Sequence, residues 1–136
     1  MRANDLKSPV IGFSHVNLHV DDIDAAREFY GHGLGLGELE RPGGIGTGAW
    51  YTLGPIQLHL SLVTSMPPGA AASTTHIAVQ LPTDTFAACV AAMEARGVVI
   101  TRQPQSREQL GTLVQTAFCR DPAGNLIELT DVGSPG

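Results

Sequence analysis

The feature that most limits how this chain can fold is a repeated order of signals. Strand, helix, strand, strand, strand runs over 12–63 and begins again over 74–131. In the first copy, Phe13-Ser-His-Val-Asn-Leu-His-Val20 alternates with period two. Val16, Leu18 and Val20 therefore share one face of a strand, and His15, Asn17 and His19 the other. Asp21 and Asp22 offer an N-cap to a helix carrying Ile23, Ala26, Phe29 and Tyr30, and Gly31 and Gly33 stand where it should stop. Residues 37–41 read as a short strand and Arg41 to Gly48 as a glycine-rich loop. Ala49 to Leu53 and Gln57 to Val63 read as strands joined through Gly54-Pro55. Residues 64–73 have linker composition.

The second copy follows the same plan. Thr75 to Leu81 alternates as a strand with His76, Ala78 and Gln80 on one face. Thr83 or Asp84 is placed to cap a helix whose apolar side holds Phe86, Val90 and Met93 and which ends at Gly97. Val98 to Arg102 is a short β-rich run, and Gln103 to Gly111 is polar and reads as a loop. Leu113 to Cys119 and Leu126 to Asp131 are strands, joined by the tight turn Asp121-Pro-Ala-Gly-Asn125. Residues 132–136 read as a frayed tail. The expected class is α+β: a single domain over 1–136, with two βαβββ modules paired around a cleft.

The repeat also distributes chemistry. His15 and His76 open the first strands of the two modules, and His59 and Glu128 lie in their last strands. A lone histidine on a strand is more often a hydrogen-bonded partner than a ligand. Here four residues of ligand type occupy matching places. Glu128 interrupts Leu126-Ile127-Glu128-Leu129, a strand that otherwise looks buried, and a buried carboxylate needs a partner. Imidazole nitrogens with a carboxylate oxygen suit Zn, Ni, Fe(II), Mn or Co. Such a metal keeps open positions for a substrate bound through neighbouring oxygens. His19 and Asn17 share the face of His15, and Gln80 that of His76, so all three are candidate substrate contacts, as is Trp50. His32, among glycines, reads as exposed, and Arg107 as a solvated loop residue.

Composition closes off other classes. The chain has eight Lys+Arg against thirteen Asp+Glu, a net charge of −5, and no basic run, so nucleic acid is not an expected partner. No apolar stretch is long enough to span a bilayer, and residues 1–12 hold no signal-like apolar core. The two cysteines, Cys89 and Cys119, are too few for a disulfide framework and fit a cytoplasmic location.

Four stretches carry a family resemblance: His15-Val-Asn-Leu-His-Val-Asp-Asp with Ala26-Arg-Glu-Phe-Tyr30, Gln57-Leu-His-Leu60, Thr75-His-Ile-Ala-Val79, and Asp121-Pro-Ala-Gly-Asn-Leu-Ile-Glu-Leu129. In these the sequence resembles the vicinal oxygen chelate superfamily of glyoxalases, extradiol dioxygenases and bleomycin-resistance proteins, and glyoxalase I-like members most. The resemblance implies a paired βαβββ fold, a homodimer, and a metal held by His15, His59, His76 and Glu128. In some members ligands come from both chains. His15, His76 and Glu128 match the iron triad of the dioxygenases. His59 departs from the bacterial glyoxalase I quartet, which has a carboxylate there. Three readings follow. The first is a metal-dependent lyase or isomerase in which Glu128, with His59, moves a proton. The second is an Fe(II) dioxygenase of extradiol type. The third is a non-catalytic drug- or metabolite-binding protein.

Overall fold

The computed structural model describes residues 8–109 and 111–133. The elements are β1 (His15–Val20), α1 (Ile23–Arg27), β2 (Glu38–Leu39), β3 (Gly48–Leu53), β4 (Ile56–Leu62), β5 (His76–Gln80), α2 (Phe86–Ala95), β6 (Ile100–Gln109), β7 (Thr112–Arg120) and β8 (Leu126–Thr130). They form two four-stranded mixed sheets, ordered β1-β4-β3-β2 and β5-β8-β7-β6. In each, the first strand lies parallel to the last and the remaining pairs are antiparallel. This is the α+β arrangement of two βαβββ modules expected from the sequence.

The repeat holds at the level of register. In the first sheet Asn17, His59, Trp50 and Leu39 are successive cross-strand partners. In the second the matching row is Ala78, Glu128, Phe118 and Arg102. Because alternate residues share a face, His15 and His76 join these rows two positions earlier along β1 and β5. The opposite faces are apolar. Val20, Leu58, Leu60, Ala49 and Tyr51 from one sheet meet Ile127, Leu129, Ala117 and Cys119 from the other in one buried cluster. Phe29 and Tyr30 from the first helical segment and Phe86, Val90 and Met93 from α2 complete it. Burying each large apolar side chain is worth about 1.5–3 kcal/mol. Both helical segments thus lie on the core face and leave the two polar rows on the other.

The modules are joined by polar bonds as well as by the core. The Tyr30 hydroxyl donates to Asp121 Oδ2 at 2.6 Å, Arg96 Nε to the Gly33 carbonyl at 3.1 Å, and Asn125 Nδ2 to the His19 carbonyl at 2.8 Å. Two of these converge on the Asp121–Asn125 turn. There Asp121 Oδ1 accepts from the backbone N–H of Ala123 and of Asn125, a side-chain-closed turn of the kind aspartate favours. Gly124 has φ +95°, and a Cβ on it would meet the backbone of Ala71 at 2.9 Å. Glycine is needed there on both counts.

Three local expectations change. Residues 103–109 are not loop but the far half of β6, paired with β7. Polarity reports exposure, and an exposed hairpin still satisfies its backbone by pairing. Pro104, which has no N–H to donate, falls where the register shifts between Arg102 and Gln105. The first helix keeps α geometry only to Arg27 and then widens into a π-helical turn, Glu28–Gly33, closed by Leu34 N–H on the Phe29 carbonyl at 2.8 Å. Its Asp22 cap is as expected, bonding Ala25 N at 3.0 Å. The second helix starts after Thr85 with no side-chain cap. The Thr83 carbonyl instead accepts from Gln115 Nε2 at 2.9 Å. Of the tail read as frayed, 134–136 lies outside the described residues.

Candidate metal centre in two halves

In the first sheet, three rings stack. Trp50 and His59 have centroids 3.9 Å apart and planes within 2°, and His59 and His15 have centroids 4.1 Å apart. Gln57 Oε1 lies 2.8 Å from His59 Nε2. With that carbonyl accepting, Nε2 carries the proton and Nδ1 presents the lone pair. Partial burial, together with the nearby positive charge His15 can carry and that of Arg41, holds the His59 imidazolium below the usual histidine range. His59 is therefore a neutral ring at pH 7, the form that binds a metal. The Ser14 hydroxyl sits 3.0 Å from His15 Nδ1, which leaves His15 Nε2 outward.

In the second sheet, His76 Nδ1 is 2.9 Å from the Thr74 carbonyl oxygen. A carbonyl only accepts, so Nδ1 holds a proton, and in the neutral ring Nε2 then holds the lone pair. That Nε2 faces Glu128 Oε1 at 3.2 Å. A lone pair against a carboxylate oxygen repels unless a cation lies between them, either a second proton on the ring or a metal. Metal bonds of about 2.1 Å place two ligand atoms about 3.0 Å apart at a right angle and about 3.4 Å apart at the tetrahedral angle. The observed 3.2 Å lies between the two. The Thr74 contact is the kind of outer partner that orients metal-ligating histidines. On donor chemistry and spacing, the pair fits a divalent metal.

The four candidate ligands thus come together as two pairs, His15 with His59 and His76 with Glu128. Among the described residues, no three His, Cys, Asp or Glu side chains gather as a metal-holding group. The reason is topological. Each pair sits on the polar face of its own sheet, and the core fills the other face of both.

The remaining candidates fall in different places. Asn17 lies in register with His59, and its Oδ1 accepts from the Ser61 hydroxyl at 2.8 Å. Asn17 and His19 line a cavity of about 550 Å³ with His76, Asn125 and the linker residues Met66 and Pro67. Trp50 is part of the ring stack. The Gln80 amide instead donates to the Val132 carbonyl at 2.8 Å, and Gln80 lines a separate apolar cavity with Phe13, Leu36 and Ile56. Arg107 is exposed on β6 opposite Val114. Sequence reading passed over Gln57, Thr74, Phe118 and Arg102. Parity along β7 relative to Glu128 was a signal that could have found Phe118. Nothing local in the sequence marks Thr74, which acts through its backbone.

Two such modules, with histidine and carboxylate side chains at equivalent register positions, define the class of paired βαβββ proteins. The model of the Glyoxalase/Bleomycin resistance protein/Dioxygenase superfamily matches residues 12–129, and the chain belongs to that superfamily. Among solved structures, a glyoxalase/dioxygenase from Nostoc punctiforme is 26% identical with a TM-score of 0.74, covering 95% of this chain and 97% of its own. A glyoxalase/bleomycin resistance protein/dioxygenase from Alicyclobacillus acidocaldarius is 21% identical with a TM-score of 0.71, over 92% and 93%. A mutant of the fosfomycin resistance protein FosX from Listeria monocytogenes, complexed with Mn(II) and 1S,2S-dihydroxypropylphosphonic acid, is 17% identical with a TM-score of 0.70, over 88% and 91%. No curated protein matches the chain. Superfamily membership supports metal-dependent binding of a small molecule. No helix among the described residues is long and apolar enough to cross a membrane.

Proposed function

We propose that this chain is a metal-dependent enzyme of glyoxalase I-like lyase or isomerase type, working as a homodimer. Its site pairs His15 and His59 of one chain with His76 and Glu128 of a second. The observation that carries the reading is His76 Nε2 set 3.2 Å from Glu128 Oε1, a spacing that two ligands of one metal also take and that otherwise needs a second proton on the ring. A divalent metal bound there supplies a Lewis acid that polarises a substrate oxygen and acidifies the neighbouring C–H bond. Glu128, with 9% of its surface exposed, is the carboxylate suited to accept that proton and return it to the adjacent carbon. Gln57 and Trp50 hold the His59 ring by hydrogen bond and stacking, and the lowered His59 pKa keeps the ring available as a neutral ligand. Asn17 and His19, on the face of His15, are the proposed substrate contacts.

The separation of the two pairs within one chain favours a second reading, a binding protein that needs no metal. A mixing experiment divides the two. One variant carries His15→Ala and His59→Ala, the other His76→Ala and Glu128→Gln, and each alone should hold no Co²⁺. In a two-fold dimer with shared sites, half of a randomly exchanged mixture is heterodimer with one intact site in two, so metal returns to about a quarter of the wild-type level per chain. A mixture that stays empty while wild type loads rules out the shared site. Wild type that takes up no metal rules out the enzyme reading. With Ni²⁺, Zn²⁺, Co²⁺ or Mn²⁺ loaded, no turnover of the methylglyoxal–glutathione hemithioacetal removes the specific glyoxalase assignment. Oxygen uptake by the Fe²⁺ protein over a catechol panel would select the dioxygenase instead.

A further inference from the structure

Beside the His76–Glu128 pair lies a cavity of about 520 Å³, lined by Thr74, His76, Arg102, Phe118, Arg120 and Leu126. Two of the eight basic residues of an acidic chain line this one space. Neither forms an ion pair with a carboxylate among the described residues. Their situations differ. Arg120 is fixed, donating to the Gly124 carbonyl at 2.9 Å and the Ser73 carbonyl at 3.0 Å. Arg102 is exposed, with its guanidinium carbon 5.7 Å from the centre of the Phe118 ring. It rests over an aromatic ring and lines the same space as His76.

The register marks Arg102 in a second way. It ends the row Ala78, Glu128, Phe118, Arg102, and the equivalent place in the first sheet is Leu39. A guanidinium on one sheet thus stands where the other carries an alkyl group. Arg102 lies two strands from Glu128, roughly 10 Å at about 4.8 Å per strand. Its own side chain covers a good part of that span.

We propose that Arg102 is a specificity residue that receives a carboxylate on the substrate, so that the substrate is an acid bearing a pair of neighbouring oxygens at one end and a carboxylate several ångströms away. The planar guanidinium fork matches a carboxylate with two parallel N–H···O bonds, which an ammonium does not. Arg120 adds fixed positive charge to the same space, and Phe118 and Leu126 line it with apolar surface for the carbon skeleton between the two polar ends. The inference rests on the metal reading for the location of the chelating end, and on Arg102 alone for the carboxylate.

The test compares three probes by titration calorimetry on Co²⁺-loaded protein: catechol, 3,4-dihydroxybenzoate and 3,4-dihydroxyphenylpropionate. All present the same oxygen pair, and two add a carboxylate at different reach. Wild type should bind at least one of the acids about tenfold or more tightly than catechol, the scale of a charge-assisted hydrogen bond. Arg102→Gln should bring that ratio near one and Arg102→Lys should keep part of it. Arg107→Gln, further along the same strand, should keep all of it. Equal affinities in wild type, or a preference that survives Arg102→Gln, overturn the proposal. If the protein takes up no metal, the metal reading fails by itself. The same comparison is then run on the metal-free protein, where the Arg102-dependent preference must still appear or this inference falls too.

Discussion

Replacing Tyr30 by Phe removes one oxygen atom from the seam between the two modules. The Tyr30 side chain is fully buried, and Asp121, its partner, is 4% exposed. The bond between them is short, 2.6 Å, and its acceptor is a carboxylate. Hydrogen bonds to charged groups contribute about 1.5–3 kcal/mol. Asp121 would not be stranded, because the N–H groups of Ala123 and Asn125 and the Asn125 amide still donate to it. The loss should therefore fall near the middle of that range, about 2 kcal/mol, or roughly 6–8 °C in Tm for a chain of this size. Tyr51→Phe is the matched control. Its hydroxyl donates to Glu38 over a longer 3.2 Å, and that carboxylate is itself solvated and shared with Arg27, so its loss should be about 0.5–1 kcal/mol. A second signature is alkaline. Burial, the Asp121 charge and the hydrogen bond all raise the Tyr30 phenol well above its ordinary value of 10.0. A raised pKa contributes stability that is complete below the unfolded value and is lost as pH climbs past about 10. Urea midpoints from pH 7 to 11 should fall more steeply for wild type than for the variant. A Tyr30→Phe protein as stable as Tyr51→Phe, with an unchanged alkaline limb, would refute the seam argument.

Other consequences are more local. Asp131 is held below the ordinary carboxylate range chiefly by the Gln115 backbone N–H, 2.7 Å from Oδ1. A depressed pKa gives stability that is present above 3.8 and lost as pH falls through the folded value, so Asp131→Asn should flatten the urea-midpoint profile between about pH 4 and 2. A Cβ on Gly48 would overlap the Leu60 carbonyl oxygen at the β3–β4 pairing. Gly48→Ala should cost about 1–3 kcal/mol in chemical denaturation, against little for Gly43→Ala, which meets nothing within 4 Å. Trp50 is the chain's single tryptophan and stacks on His59. Co²⁺ or Ni²⁺ should quench its emission in wild type with a saturable midpoint, and His59→Ala should shift that midpoint upward by tenfold or more.

Much of the fold was legible because period two and the Gly and Pro positions are backbone physics written directly in the chain. β1, β3, β4, β5, β7 and β8 all lie where alternation or β-branched runs place them. The misreadings share one cause. The far half of β6 and the bonding of Thr83 before α2 involve hydrogen bonds to residues distant in sequence, Thr112–Arg120 and Gln115, which no local window contains. The site divided in the same way. Strand parity marked the faces that carry His15, His59, His76 and Glu128, and the parallel pairing of β1 with β4 and of β5 with β8 brings them together two by two. Whether the two pairs meet depends on how one sheet turns relative to the other, which periodicity does not encode. Gln80 shows the limit of parity from another side. It has the expected facing, but the chain after β8 returns and takes its amide.

The register equivalence of the two sheets has a consequence for how such a protein can change. A dimer of single modules is bound by its own symmetry, since any substitution on one wall of its cleft appears on the other. Joining two modules in one chain releases that constraint while keeping the geometry. Trp50 and Phe118, His59 and Glu128, and Leu39 and Arg102 hold equivalent register positions in the two sheets and differ in chemistry. One row is aromatic, and the other carries charged groups. A polar substrate has two different ends, and two joined modules that need not be identical can tell them apart.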